Sequence, residues 1–387
     1  MPDTPPHRLT SWPRVLLAGE GALWASGATS AFFLSLGASW LGDIAHPIHL
    51  WLSFAWLFSI ILWSAMAVVR HADCLAIQLG EPYGTLILTL SVVSIEIVTI
   101  SSLMLTSSQG HGLARDTMYG VLMIVLNGMV GLCLVLGGLR HKVQHYNLQG
   151  ANAFLAVIVP LSILGLVLPN YTMATAEPEL SVGQSIFFVT LCLGMYCVFL
   201  IIQTTRHRTD FTEPEGVLSL DADKEERGHQ SVFYHAVLLL AYLALVVVLA
   251  DKLAIPVDHF ISVLGVPEAL GGLMVAILVC SPEAVGAVRA AMANRLQRAV
   301  NISLGSALAT ISLTIPAVLL VALYTDKHVI LGLGSEAVLM LVTTLLVSLL
   351  TFGAGRTTVL QGAVHLLLFL VYIMLIFDLP TFSVAAP

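Results

Sequence analysis

Two stretches, EPYGTLILTLSVVSIEIV from Glu81 to Val98 and EALGGLMVAILVCSPEAV from Glu268 to Val285, align when the chain is shifted on itself by 187 positions. Seven of the 18 positions are identical: Glu81/Glu268, Gly84/Gly271, Leu86/Leu273, Val92/Val279, Ser94/Ser281, Glu96/Glu283 and Val98/Val285. Coincident Leu and Val are cheap in apolar sequence, but two matched glutamates, a glycine and a serine are not. Each stretch is apolar enough to lie within a membrane-crossing helix, which needs about 20 residues.

The rest of the chain has the same character. Of 387 residues 58% are hydrophobic and 10% charged, with mean hydropathy +0.93, whereas soluble domains carry about 25% charged residues. Apolar runs fall near 15–40, 47–69, 83–106, 118–139, 151–170, 181–203, 232–250, 260–288, 299–324, 329–352 and 357–378. An all-α polytopic membrane protein with about eleven transmembrane helices is expected. The Pro-rich polar start, followed by an apolar run containing Glu20, does not read as a removable signal peptide. Five cysteines scattered through apolar segments, with no CxxC pair, indicate neither a zinc site nor a disulfide framework. Seven acids crowd between Asp210 and Glu226. Nucleic-acid binding is not indicated, and no soluble partner is implied beyond membrane lipid; oligomeric state is left open.

Lys and Arg concentrate on the cytosolic loops of membrane proteins, which tests the count. With eleven spans, Arg8, Arg14, Arg70, Arg140, Lys142, Arg206, Arg208, Lys224, Arg227, Arg289, Arg295, Arg298 and Arg356 fall on the side of the N-terminus, and only Arg115, Lys252 and Lys327 fall opposite. Removing one internal span scrambles that partition. The N-terminus is expected in the cytosol and the C-terminus outside, in the periplasm of a bacterium. Residues 1–14 then form a cytosolic tail and 204–231 an acidic cytosolic linker, whose carboxylate spacing matches no EF-hand loop.

The matched stretches lie in spans three and eight, so they cross in opposite directions. Inverted repeats of this kind mark secondary transporters, with the site between the halves near the midplane. An ionisable side chain inside a span is costly and is a functional candidate for that reason. Glu96 and Glu283 each follow their outer partner by 15 residues, about 22 Å of helix. They are expected deep, with Glu81 at the cytosolic mouth and Glu268 at the outer mouth; ordinary surface charge is the alternative for that outer pair. Pro282 removes a backbone donor and displaces the Leu278 carbonyl. Freed carbonyls, two carboxylates and the hydroxyls of Ser94 and Ser281 suit a hard cation such as calcium. Gly84, Gly271 and Pro282 are expected helix breaks. Spans four and nine add Asn127, expected to support the site, and Asn301, Ser306 and Thr310. Glu20, His235, Glu336 and His365 are further buried ionisable candidates.

At SVVSIEIV and at VCSPEAVGAVRAAMANRLQRAVNISLGSALATISLTIPAV the sequence resembles the cation/proton exchanger family of the calcium/cation antiporter group, more narrowly its bacterial ChaA-type calcium/sodium-proton antiporters. The resemblance extends over nearly the whole chain, including the acidic linker and the late GAGRTTVLQGAVHLLLF. It implies an unpaired first helix, here 15–40, before two five-helix inverted halves, here 47–203 and 232–378. It also implies that Glu96 and Glu283 carry the ions. The family motif Gly-Asn-x-x-Glu is replaced here by Val92-Val93-Ser94-Ile95-Glu96 and Val279-Cys280-Ser281-Pro282-Glu283, so the Gly and the amide are missing. Gly305 and Ser306 retain the Gly-Ser of the second half.

The expected function is exchange of Ca2+ or Na+, or K+, for H+ across the inner membrane by alternating access, with no cofactor beyond the transported ions. Two alternatives stand beside it: an intramembrane enzyme with paired acids, and a proton-coupled transporter of another solute. The sequence has no HExxH run and no Ser-His arrangement, and its bases lie at loops and span ends rather than facing a site for organic anions.

Overall fold

A computed structural model describes residues 20–42, 46–79, 83–106, 112–212, 231–263 and 267–377. Through them run eleven long helices: α1 Gly21–Ser35, α2 Pro47–Leu79, α3 Tyr83–Thr106, α4 Leu113–His141, α5 Leu148–Leu166, α6 Val182–Arg206, α7 Val232–Ser262, α8 Glu268–Met292, α9 Leu296–Thr325, α10 Ser335–Phe352 and α11 Val359–Ile376. Nine of them are long and apolar enough to cross a membrane, and α3 carries a shorter apolar stretch, Thr89–Leu105. The expected all-helical, polytopic architecture is the one found.

Local chemistry marks several helix starts. The Asn147 side chain accepts the Gln149 amide at 3.0 Å ahead of α5, and Ser181 and Gln184 cap each other's backbone ahead of α6. Such caps satisfy amides that have no partner in the first turn.

Two helices overrun the ends expected from hydropathy. α2 continues from residue 69 to Leu79, through Arg70, His71 and Asp73. α7 continues from 250 to Ser262, through Asp251, Lys252 and Pro256, so residues 260–262 belong to α7 and α8 begins only at Glu268. The physical reason is packing. Ala72 and Leu75 in α2, and Leu253, Ala254 and Val257 in α7, stay buried against neighbours beyond the apolar run, and a helix persists while one face is covered.

α1 stands alone, and α2–α6 and α7–α11 repeat one another in inverted sense. α3 and α8 are five crossings apart and antiparallel in the membrane. A second feature obeys nearly the same offset as the sequence repeat: π-helical turns interrupt α4 at Ile124–Met129 and α9 at Thr310–Thr314. Such bulges recur at functional sites.

Tertiary contacts sort the loops as the Lys/Arg partition does. On one side, β1 Gln144–His145 pairs antiparallel with β2 Arg356–Thr357, Gln144 donates to the Ala291 carbonyl, and Asn147 donates to the Thr209 carbonyl. On the other side, Arg115 donates to the Gly332 carbonyl, Lys327 to Met104, and Asn170 to Leu333. No loop of the basic set touches one of the other set in these bonds.

The buried apolar side chains form two clusters. The larger is built on α4, α5, α6, α9, α10 and α11, and the smaller on α1, α2 and α7. α3 and α8 belong to both: Ile100 and Met104 face the larger while Ile95 and Leu103 face the smaller, and Ala276 and Cys280 face the larger while Val275, Leu278 and Val279 face the smaller. α8 lies hard against α4 because Gly272 has no side chain. A Cβ there would stand 2.8 Å from the backbone of Asp116 and Thr117, closer than real carbon contacts allow.

Candidate functional site

The seam between the clusters opens into a cavity of about 420 Å³ that both deep glutamates line, Glu96 from α3 and Glu283 from α8. α3 and α8 are long enough to place these residues well inside, and each helix has one face against each cluster, so the carboxylates emerge where the clusters part. Glu96 is 3% exposed. Its Oε2 accepts the Thr310 hydroxyl at 3.1 Å, and its Oε1 is buried with no hydrogen-bond partner among the described residues. Glu283 and Ser306 line the same cavity. The remaining wall includes Asp73 from α2, Thr89 from α3, Tyr196 from α6, and Asn301 and Gly305 from α9. Arg208 and Arg298 line it on the basic side of the molecule.

This arrangement suits an ion taken up and released. A buried carboxylate oxygen without a donor is a costly vacancy for hydrogen bonding. Thr314 Oγ1 and Ser312 Oγ on the π turn are buried and unpartnered too among the described residues. Oxygen-rich surroundings of this kind fit Na+, K+ or Ca2+. Among the described residues there is no group of three His, Cys, Asp or Glu that would hold a resident metal.

The structure brings Glu96, Glu283, Ser306 and Pro282 together at the cavity and places the other expected residues elsewhere. Ser94 donates to its own helix at the Leu90 carbonyl, 2.6 Å away, and Ser281 donates to Ile277 in the same way. Neither lines the cavity. Each lies two residues before its glutamate, and positions i and i+2 point to nearly opposite faces of a helix. Asn127 is fully buried on the π turn of α4, donating to Thr344 Oγ1 at 2.8 Å and meeting His365 Nδ1 at 3.3 Å. It belongs to a separate network and does not line the cavity. The Leu278 side chain packs in the smaller cluster.

None of the expected helix breaks interrupts a helix. α8 runs unbroken through Gly271 and Pro282, and Gly84 lies within α3. The irregularities fall instead on the π turns of the neighbouring α4 and α9. Glu268, in the first turn of α8, does not line the cavity; it lies beside Gly112, where an added Cβ would lie 3.0 Å from its Oε2 and 2.7 Å from an Arg115 nitrogen. Glu81 lies outside the described residues. Of the other buried candidates, Glu20 and His235 meet in one cluster described below, His365 joins Asn127, and Glu336 is exposed in the first turn of α10.

Sequence reasoning missed Asp73, Arg208, Arg298 and Thr314. Asp73 lies past the expected end of span two, and the arginines read as loop charge. Thr314 was legible through the repeat, since it stands 187 positions after Asn127.

Comparison with known proteins bears on the whole arrangement. The family model described as sodium/calcium exchanger protein matches residues 49–205 and 234–377, once in each half. The sodium-potassium/proton antiporter ChaA of Escherichia coli is 42% identical over 323 residues, covering 82% of this chain and 86% of that protein. Among solved structures, the Ca2+/H+ antiporter YfkE superposes with a TM-score of 0.71 at 18% identity, over 92% of this chain and 99% of that one. The H+/Ca2+ exchanger CAX gives 0.64 at 14% identity, over 91% and 89%. At such identities the structural likeness is one of fold, while the family match spans most of the chain. With helices repeated in inverted halves around two facing glutamates, this chain belongs to the sodium/calcium exchanger protein family.

Proposed function

We propose that this protein exchanges an inorganic cation for protons by alternating access, with Glu96 and Glu283 as the groups that bind cation and proton in turn. The observation that carries the reading is their meeting: two carboxylates from antiparallel repeat helices share one cavity at the seam of two packing clusters. Cation and proton compete for the same oxygens, since a bound cation favours the ionised carboxylates and a bound proton removes the charge that holds the cation. Obligatory exchange follows because the empty site, with both acids ionised and buried, is the most costly state to move through the membrane interior. The ions are substrates, and no cofactor is invoked.

The cargo comes from the set Na+, K+ and Ca2+, and two observations favour the monovalent ions. Arg208 and Arg298 share the cavity with Asp73, Glu96 and Glu283, leaving it a formal charge of about −1. The E. coli relative is named for sodium and potassium. Leu278 and the serines of the repeat are not needed as ligands; Thr310 holds Glu96, and Ser306 shares the cavity with Glu283.

The chain lies in the bacterial inner membrane, its N-terminus cytosolic and its C-terminus periplasmic, by the distribution of Lys and Arg. Residues 47–203 and 232–378 are the two halves, 204–231 joins them, and the cavity opens toward the cytosol, where Arg208 and Arg298 lie. The test uses everted vesicles from cells lacking other exchangers, with an acid lumen and a fluorescent pH probe. Addition of Na+, K+ or Ca2+ should drive proton efflux, lost in Glu96→Gln and Glu283→Gln. Silence with all three ions between pH 6 and 9, with the protein folded in the membrane, would point to another solute; unchanged exchange in both variants would remove these glutamates from the mechanism.

A further inference from the structure

A second group of buried titratable side chains lies apart from the cavity, where α1, α2 and α7 meet. Glu20, just before α1, is 4% exposed. Its Oε2 accepts Arg70 at 2.6 Å and the Tyr242 hydroxyl at 2.8 Å, and its Oε1 accepts the Tyr234 hydroxyl at 3.2 Å. His71 Nε2 lies 3.4 Å from the same carboxylate and 3.4 Å from an Arg70 nitrogen, and His71 Nδ1 lies 2.9 Å from His235 Nδ1. α1 thus contributes Glu20, α2 contributes Arg70 and His71, and α7 contributes Tyr234, His235 and Tyr242. α3 and α8 also pack on these helices, but their acids Glu96 and Glu283 line the cavity instead.

The contact between the two imidazoles limits how many protons they hold. A hydrogen bond between ring nitrogens needs one N–H and one bare lone pair. Two neutral rings satisfy this, and so does one neutral ring beside one cationic ring. Two cationic rings do not, because both Nδ1 atoms then carry hydrogen and like charges face each other. The first added proton has a prepared place: a cationic His71 donates through Nδ1 to His235 and through Nε2 to Glu20. The second has none, since His235 Nε2 is buried with no partner among the described residues.

We propose that the Glu20–His71–His235 cluster is a proton-binding site separate from the transport cavity, reading cytosolic pH and slowing exchange when the second proton opens the His71–His235 contact. The connection to transport is short. Val69 and Asp73, within one turn of His71, line the cavity, so a shift of α2 away from α7 moves a cavity wall. The cluster lies at the basic end of α2, on the cytosolic side in the orientation given above. Its effect on exchange rests on the transport reading; its proton uptake does not.

The experiment compares the parent protein with His235→Asn, whose amide keeps a hydrogen-bonding group near Nδ1 and takes up no proton. In everted vesicles with fixed lumenal pH, parental exchange should fall several-fold as the outer, cytosolic-face pH drops through the range where imidazoles titrate, roughly pH 8 to 5. His235→Asn should lose most of that fall, with cation affinity at pH 8 unchanged. A readout free of transport is the melting temperature in detergent, measured in the Glu96→Gln, Glu283→Gln background to remove titration in the cavity. It should drop on acidification with His235 present and stay level with Asn there. An identical acid fall in parent and variant overturns the proposal. So does a melting temperature indifferent to pH while His235 is present, an outcome that needs no folded His235 variant.

Discussion

In the larger packing cluster the buried polar groups are neutral: Asn127 bonds Thr344 and His365, and His365 Nε2 meets Thr351 Oγ1 at 3.0 Å. In the smaller cluster a buried carboxylate stands among neutral hydroxyls: Glu20 accepts the half-exposed Arg70 with His71 beside it, while Thr29 and Ser53 accept Trp56 and Trp40. The two also differ in how they are tied. The larger is stitched on one side by the β1–β2 ribbon and Gln144, and on the other by Asn170 and by Leu331, whose amide donates to Pro178. The smaller is held by apolar contact along its length, by the Trp40–Ser53 and Trp56–Thr29 hydrogen bonds and by the charge cluster at one end. A neutral, doubly stitched body resists displacement. The smaller body has fewer such ties, and Glu96 and Glu283 lie on the two helices between the bodies.

The largest effect should come at that seam. Glu96→Gln or Glu283→Gln should lower exchange at least 100-fold, roughly the 3 kcal/mol of a lost charged interaction, in vesicle flux assays. Near-parental flux in either would mean the seam is not the ion site. Next, Gly272→Val drives a side chain into the α4 backbone and should cost about 1–3 kcal/mol of stability, read as a lower melting temperature. Parental stability there would show that α8 is not pinned to the larger body. Asn127→Ala should cost about 1–3 kcal/mol by stranding His365 and Thr344, read as a lower melting temperature; parental stability would show that this network does not tie the larger body.

Smaller still, Thr310→Val removes one donor from Glu96, about 1 kcal/mol, and should weaken apparent cation affinity roughly fivefold with melting unchanged. Ser94→Ala and Ser281→Ala should change flux by less than about twofold, since both hydroxyls bond only their own helices. A large loss in these would restore the serines as ligands.

The repeat made the two glutamates legible, and the hydropathy runs located the eleven helices. What stayed hidden follows a pattern. The ends of α2 and α7 were misread because packing, not hydropathy, carried them further. The serines were misassigned because residue type was read without helix rotation. Asp73 was passed over as loop charge although α2 carries it to the cavity wall.

The sequence by itself determined the number of helices, the inverted repeat and the deep position of Glu96 and Glu283. Each is fixed by the free energy of single residues and short segments against water or lipid, a property that sums along the chain. Only the tertiary structure decided that Thr310 reaches Glu96 across 214 positions and that Asn127 turns to His365. It also decided that Glu20 finds Arg70, His71, Tyr234 and Tyr242. Those pairings depend on how each helix is rotated and how closely its neighbours approach, which no one segment specifies.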